Sequence, residues 1–243
     1  MEPVTLFSEL WFESEPQVDL EVLAGVVTGA TVAGDAPALA HPRFTFTYEG
    51  GEQSAILTAF FEPSKDHVGE MRATTEQTWD WEAADEVLAR CTHQLMVAEV
   101  FGRVHAPSER LEAYLPTLCA AIDLLEPAAI WLPNSARVAN PAEILREPQI
   151  ACVNVRLFRV EDSDECFMDT LGLHVLGLPE FQCLFRDEDP SAIAGFLYDC
   201  AGYLLDHGEV IEDGDTIGDR PWRCHFDMAR VEPERRALTL SGA

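Results

Sequence analysis

The sequence predicts an α+β fold in which a mixed, mostly antiparallel sheet is packed with several helices. Short alternating segments, typical of strands, dominate the first third, and longer segments with helical periodicity follow. Strands flank these helices without the strict βαβ alternation of a parallel α/β sheet. With 243 residues and 47% hydrophobic composition, one core can still serve the whole chain. We expect a single domain over residues 1–243, or two packed halves, 1–90 (mainly β) and 91–218, with a loosely held tail over 219–243.

The first third of the chain contains the clearest strand patterns. Alternating apolar residues predict a strand over residues 4–12, and residues 44–48 and 56–61 flank a Gly-Gly turn that predicts a hairpin. Residues 24–40, rich in Gly, Ala and Thr, predict a loop or an irregular connection.

The middle of the chain predicts alternating helices and strands. We expect a short helix over residues 80–90, a buried strand over 95–101 and a second strand over 129–132. Pro107 suits the first turn of a long helix, and Asn140 followed by a proline predicts the N-cap of a short one. The long helix carries apolar residues at intervals of three and four, namely Leu111, Tyr114, Leu115, Leu118, Ile122 and Leu125.

The C-terminal part predicts strands over 150–160, 170–176 and 181–185, and then a well-defined helix. Asp189 is its expected N-cap, Pro190 lies in its first turn, and Gly208 ends it. Its predicted apolar face consists of Ile193, Phe196, Leu197, Cys200 and Leu204.

Charge is the strongest compositional signal. The chain has 43 acidic and 16 basic residues, a formal net charge of −27, which disfavours direct binding to nucleic acid or to anionic membranes. Between Arg186 and Arg220 no basic residue interrupts a run of acids. We therefore select nine of these acids as candidate partner-binding residues: Asp187, Glu188, Asp189, Asp199, Asp206, Glu209, Glu212, Asp213 and Asp215.

Cysteine usage and hydropathy indicate the compartment. Seven cysteines at irregular spacing, most of them in apolar surroundings, predict reduced core residues. The N-terminus has no signal-peptide pattern, and no segment approaches the roughly 20 apolar residues of a membrane span. We expect a cytoplasmic protein.

No motif predicts catalysis or a cofactor. The sequence has no GxSxG elbow, GxGxxG fingerprint or P-loop, and its histidines lack zinc-site spacing. The carboxylates of residues 206–218 could hold Ca²⁺ or Mg²⁺, but Asp213-Gly214 is also a standard turn dipeptide, and a solvated turn is the simpler interpretation. We expect no metal site, no cofactor and no enzymatic activity.

Two glycines and two aspartates form a stripe on the last helix. Gly195, Asp199, Gly202 and Asp206 recur at offsets of four, three and four. Either the glycines let the helix pack tightly on its own sheet while the aspartates face water, or the stripe forms an acidic groove that faces a partner.

The segment Thr170–Glu180, the last helix and residues 208–218 resemble a bacterial family known as a domain of unknown function, with residues 91–218 as the extent of the resemblance. Some members of that family are similar to immunity proteins, which protect a bacterium from toxins of type VI secretion systems. Together with the charge, the resemblance implies binding to a cognate toxin with a basic surface, such as a nuclease-like effector. The alternatives are an effector-specific adaptor or chaperone, and a carboxylate-based metal-dependent enzyme; a homodimer is also allowed.

Overall fold

The computed structural model describes residues 4–47, 51, 53–63, 68–78, 81–218 and 220–242. Contacts divide the chain into two compact units, Thr5–Ala151 and Cys152–Ala243 together with Met1–Val4. The division thus falls at Cys152 and not near residue 90, because strands on both sides of residue 90 join the same sheet. Two mostly antiparallel sheets with helices confirm the α+β class, although we expected one sheet.

The first unit contains a seven-stranded sheet in the order β2-β3-β4-β5-β1-β6-β7 with antiparallel neighbours. Its strands are β1 (Phe7–Phe12), β2 (Thr31–Val32), β3 (Ala38–Thr47), β4 (Gln53–Phe61), β5 (His93–Val100), β6 (Ala129–Leu132) and β7 (Arg137–Ala139). The predicted hairpin is confirmed by the β3–β4 pair. Most of its turn lies outside the described residues.

The helices of the first unit are α1 (Leu20–Val26), α2 (Val68–Thr75), α3 (Ala84–Leu88), α4 (Pro107–Leu125) and α5 (Pro141–Arg146). α4 buries the predicted apolar face, except that Leu125 is only partly buried. The loop or irregular connection expected over residues 24–40 is corrected in part, because residues 24–26 end α1, and β2 and the start of β3 lie in the same range. The Asp19 carboxylate accepts hydrogen bonds from the backbone N–H groups of Glu21 and Val22 and so caps α1.

The second unit contains a five-stranded sheet and one long helix. The strands are β8 (Asn154–Arg159), β9 (Cys166–Leu171), β10 (Glu180–Phe185), β11 (Trp222–Met228) and β12 (Arg236–Gly242), and the helix is α6 (Pro190–His207). The order is β11-β12-β10-β9-β8, with β10 and β12 parallel and the other pairs antiparallel. The strand predicted over 170–176 is shifted: β9 ends at Leu171, and residues 173–176 form a 3₁₀ turn.

The expectation of a loosely held tail over 219–243 is wrong for its described residues. β12 lies inside the sheet between β11 and β10, and its residues Ala237, Leu238 and Leu240 are buried. The strands on both sides of β12 form hydrogen bonds with its backbone N–H and C=O groups, and local sequence does not reveal such pairing. At the start of β11, Trp222 and Cys224 are buried while Arg223 between them is exposed, which is an alternation that the sequence does contain.

Within the described ranges, the chain has no helix with the length and apolar character needed to cross a membrane.

Candidate functional site

α6 is built as its sequence predicts. The Asp189 carboxylate accepts a hydrogen bond from the backbone N–H of Ser191 at 3.1 Å, and Pro190 occupies the first turn. Gly208 follows the helix with a φ of 77°, a conformation that favours glycine. Ile193, Leu197, Cys200 and Leu204 are buried, and Phe196 is half-buried. The helix therefore has a fixed inner face and a defined outer one.

The stripe of glycines and aspartates lies on the outer side of α6. Gly195, Asp199 and Asp206 are exposed, and Gly202 is half-buried. A Cβ atom added at Gly195 would meet no atom within 4 Å, so this glycine serves no close packing. The interpretation in which the glycines let the helix pack tightly on its own sheet therefore fails at Gly195, and the aspartates point outward from an open surface.

A groove lies between α6 and the segment that follows it. It encloses about 600 Å³. Two of the selected acids, Asp199 and Asp215, line it together with apolar and aromatic residues. The whole lining consists of Phe196, Asp199, Cys200, Tyr203, Val210, Ile211, Asp215, Thr216, Ile217, Gly218 and Arg220. We call this feature the α6 groove.

Arg220 is held in the wall of the α6 groove. Its guanidinium lies 2.5 Å from the Glu188 carboxylate. The same group lies 5.2 Å from the ring centre of Phe196 and 4.9 Å from that of Trp222. Glu188 therefore balances this cation, and the aromatic rings restrain its position.

Two of the selected acids stabilise the loop after α6 against strand β11. The Asp213 carboxylate accepts a hydrogen bond from Phe226 N–H at 3.0 Å, and Asp215 Oδ2 accepts one from Glu212 N–H at 2.9 Å. Backbone bonds join Gly214 N–H to the Cys224 carbonyl at 2.7 Å and Cys224 N–H to the Asp215 carbonyl at 2.8 Å. The turn predicted at Asp213-Gly214 is confirmed, and the loop covers the outer edge of the sheet, where an open strand would invite aggregation.

Tertiary pairing changes the charge pattern that the sequence suggested. The selected acid Glu209 pairs with Arg236 on β12, as Glu188 does with Arg220, so cations from outside the acidic run neutralise two of its members. Asp187, Asp199 and Glu212 are exposed and make no side-chain hydrogen bond or ion pair with any described residue. These three, together with exposed Asp206, contribute the acidic character of this surface.

The acids selected from the sequence do not form one cluster. Asp199 and Asp215 both line the α6 groove, and Glu188 pairs with Arg220 of the lining. Asp187 and Asp189 lie at the start of α6. The remaining four acids do not line the α6 groove and lie in the last turn of α6 or in the segment after it; they are Asp206, Glu209, Glu212 and Asp213.

Sequence analysis missed the apolar part of this surface. Tyr203 and Val210 are 44% and 49% exposed and line the α6 groove, as does Ile217. The signal was available, because apolar residues recur inside the acidic run where a purely solvated loop has no need of them.

Burial disfavours ionisation of the cysteines near the α6 groove. All seven cysteines are free thiols, and four are buried, which confirms the expectation of reduced residues for the core. Burial raises the pKa of Cys183 and of Cys200 to about 12 and that of Cys224 to about 11. A nucleophilic or metal-binding thiolate is therefore strongly disfavoured at neutral pH.

A second group of titratable residues lies inside the five-stranded sheet. Asp169 accepts hydrogen bonds from Arg156 and Arg235, and Glu180 accepts hydrogen bonds from Thr170 and His174. Both acids are fully buried and neither lines the α6 groove. Within the described part of the chain, no three His, Cys, Asp or Glu side chains come together in a way that could hold a metal ion.

Comparison with known proteins adds one match. Neither the curated proteins nor the solved structures contain a significant match to this chain. A family model described as "Domain of unknown function (DUF4261)" matches residues 169–241, a segment that begins in β9 and includes β10, α6, β11 and nearly all of β12. A domain of unknown function, DUF4261, is therefore found over residues 169–241, and it contains both the α6 groove and the buried acids Asp169 and Glu180.

Proposed function

We propose that the protein is an immunity protein that binds and neutralises a cognate toxin, a nuclease-like effector of a type VI secretion system. The observation that carries this proposal is the exposed acidic side of α6 beside a groove with exposed apolar residues. The chain's net charge of −27 adds a long-range field of the same sign. Such a field speeds the capture of a basic partner.

The binding chemistry follows from what a nuclease must do. A nuclease presents cationic surface to phosphates, and an acidic protein surface competes for it in the substrate's place. Asp199 and Asp206 supply outward charge for this competition, while Tyr203 and Val210 supply apolar contact area. Mixed surfaces of this kind are typical of protein interfaces, in which charge selects the partner and buried aromatic residues supply much of the affinity.

Co-expression tests the proposal. We expect the protein to restore growth of a sensitive host that expresses the toxin encoded beside its gene, and to elute with that toxin as one complex in size-exclusion chromatography. Failure of both would contradict the proposal. Nuclease activity of the purified complex separates the alternatives, because an immunity protein inhibits the toxin, whereas an adaptor or chaperone leaves it active.

Charge reversal tests the surface. Asp199→Lys with Asp206→Lys should slow association with the toxin by at least about tenfold and reduce its salt dependence, since steering charges act mainly on the association rate. The matched control is Asp123→Lys with Glu147→Lys, which changes the net charge equally at two exposed acids of the first unit. Equal slowing by both pairs, measured by stopped-flow fluorescence, would show that only net charge matters.

A further inference from the structure

The α6 groove combines two carboxylates with exposed apolar side chains, and this combination selects a chemical class of occupant. We propose that it receives an arginine or lysine side chain from a protruding loop of the protein partner. The aliphatic stem lies against Phe196 and Tyr203, and the cation lies beside Asp199 and Asp215. This inference rests on the proposed function and assigns the contact at its centre.

The charge of the α6 groove favours a cation. Asp199 and Asp215 contribute two carboxylates to the lining, and the basic residue of the lining is Arg220. Glu188 neutralises Arg220 at 2.5 Å, so it does not offset the two aspartates. A cation that enters forms charge-assisted hydrogen bonds with these carboxylates, whereas a neutral or anionic group brings no charge that compensates for their loss of water.

The apolar lining favours a long side chain. Tyr203 is stacked on His207, with 4.5 Å between ring centres, and remains 44% exposed; Val210 is 49% exposed. Lysine and arginine bury an apolar stem while the cation reaches polar groups, and a cation near an aromatic ring gains further stabilisation. The volume of about 600 Å³ lies within the usual range of binding pockets and admits such a side chain with its adjoining backbone.

The backbone that carries the two carboxylates of the α6 groove is already in place. Asp199 projects from an 18-residue helix whose inner face is buried. Asp215 lies on the loop that backbone hydrogen bonds attach to Cys224 on β11. Binding therefore requires little ordering of the receptor, which lowers the free-energy cost of association.

A peptide experiment on the full chain tests the assignment. The probe is a blocked pentapeptide with a central arginine between glycines, and its control carries citrulline, the neutral isostere. We expect the arginine peptide to shift NMR amide signals of the α6 groove at millimolar concentration. Loss of the cation should weaken binding about tenfold, which equals about 1.4 kcal/mol.

Two isosteric variants locate the contact. Asp199→Asn should weaken the arginine peptide about tenfold, because it removes a carboxylate from the lining. Asp123→Asn removes the same charge from an exposed position of the first unit, outside the lining, and should change affinity by less than about twofold. Absence of binding at millimolar peptide, or equal weakening by both variants, would overturn the assignment.

Failure of the groove contact and failure of the proposed function give different experimental results. If the toxin is neutralised and bound equally well by wild type and Asp199→Asn, the groove contact is wrong while the immunity function stands. If the arginine peptide binds as described but co-expression restores no growth, the immunity function is contradicted and the groove keeps its assignment as a site for basic side chains.

Discussion

The two units bury acidic side chains in different ways. In the first unit Glu99 of β5 meets Arg110 of α4, with 2.9 Å from Arg110 Nε to Glu99 Oε1 and 2.5 Å from Nη2 to Oε2. Both side chains are almost wholly buried. The Arg110 guanidinium thus donates to the Glu99 carboxylate from two of its nitrogens.

The second unit shares its buried charges among several groups. Asp169 of β9 accepts hydrogen bonds from Arg156 of β8, its cross-strand neighbour, and from Arg235, which lies before β12. Glu180 accepts hydrogen bonds from Thr170, from the Gly172 N–H and from His174, and Arg235 lies 3.8 Å away. These contacts join strands β8, β9 and β10 and the segment that precedes β12.

This difference predicts how much stability each unit loses when one buried charged residue is replaced. A buried pair fails when either member is lost, because a charge then stays in the core without compensation. A network leaves its acids with a remaining partner after a single loss, so the cost per substitution is smaller. Four predictions test this comparison.

The largest effect is expected in the Glu99–Arg110 pair. Arg110→Met should lower the free energy of unfolding by about 4 kcal/mol, because Glu99 loses its guanidinium. Arg156→Met should cost only about 2 kcal/mol, because Asp169 keeps Arg235. Urea denaturation measures both values, and an equal or greater loss in Arg156→Met would remove the distinction between pair and network.

The next effect concerns a glycine beside the pair. A Cβ atom on Gly102 would lie 1.8 Å from Glu99 Oε1, in a carboxylate that Arg110 holds in place. Gly102→Ala should therefore cost about 2 kcal/mol through overpacking. Gly195→Ala is the control, since open space surrounds that position on α6 and alanine should stabilise the helix by about 0.8 kcal/mol. Thermal unfolding of both variants should show shifts of opposite sign.

Lowering the pH should remove the stability contributed by His41 in the first unit and by Glu180 in the second unit over different pH ranges. Burial lowers the pKa of His41 in the first unit, where Thr58 and Thr117 are its hydrogen-bonding neighbours. The folded state therefore favours the neutral ring, and stability present above pH 6.5 is lost as pH falls below that value. For Glu180 burial acts to raise the pKa, but hydrogen bonds from His174 and Thr170 and the charge of Arg235 lower it on balance.

The stability that ionised Glu180 contributes is present above pH 4.5 and is lost as pH falls below it. His41→Gln should therefore flatten the stability profile around pH 6, and Glu180→Gln should flatten it below pH 4.5, each by a slope of up to about 1.4 kcal/mol per pH unit. Urea denaturation across pH 3–8 would contradict the assignment if the two variants flattened the same range.

The smallest effect on stability distinguishes a surface acid that caps a helix of the second unit from one that we propose binds a partner. Asp189→Ala should cost about 1 kcal/mol, because it removes the N-cap of α6. Asp199→Ala should change stability by less than about 0.5 kcal/mol, since the Asp199 side chain makes no hydrogen bond or ion pair with any described residue. A comparable loss in both, by urea denaturation, would give Asp199 a structural role.

Much of the candidate surface was predictable. The caps, length and inner face of α6 follow from Asp189, Pro190 and Gly208 and from helical periodicity, all of which are local signals. The acids were visible as a run without bases. Their division into paired and outward residues was not, because the partners Arg220 and Arg236 reach Glu188 and Glu209 from far along the chain.

The sequence by itself determined the α+β class, the hairpin of β3 and β4, the long helices α4 and α6, and the acidic character of residues 187–215. These depend on periodicity, capping and turn residues within a few positions. Only the tertiary structure decided that strands from both sides of residue 90 share one sheet, that β12 enters the other between β11 and β10, and that Asp199 and Asp215 line one groove. Such features depend on contacts between distant segments, whose register and partners no local pattern specifies.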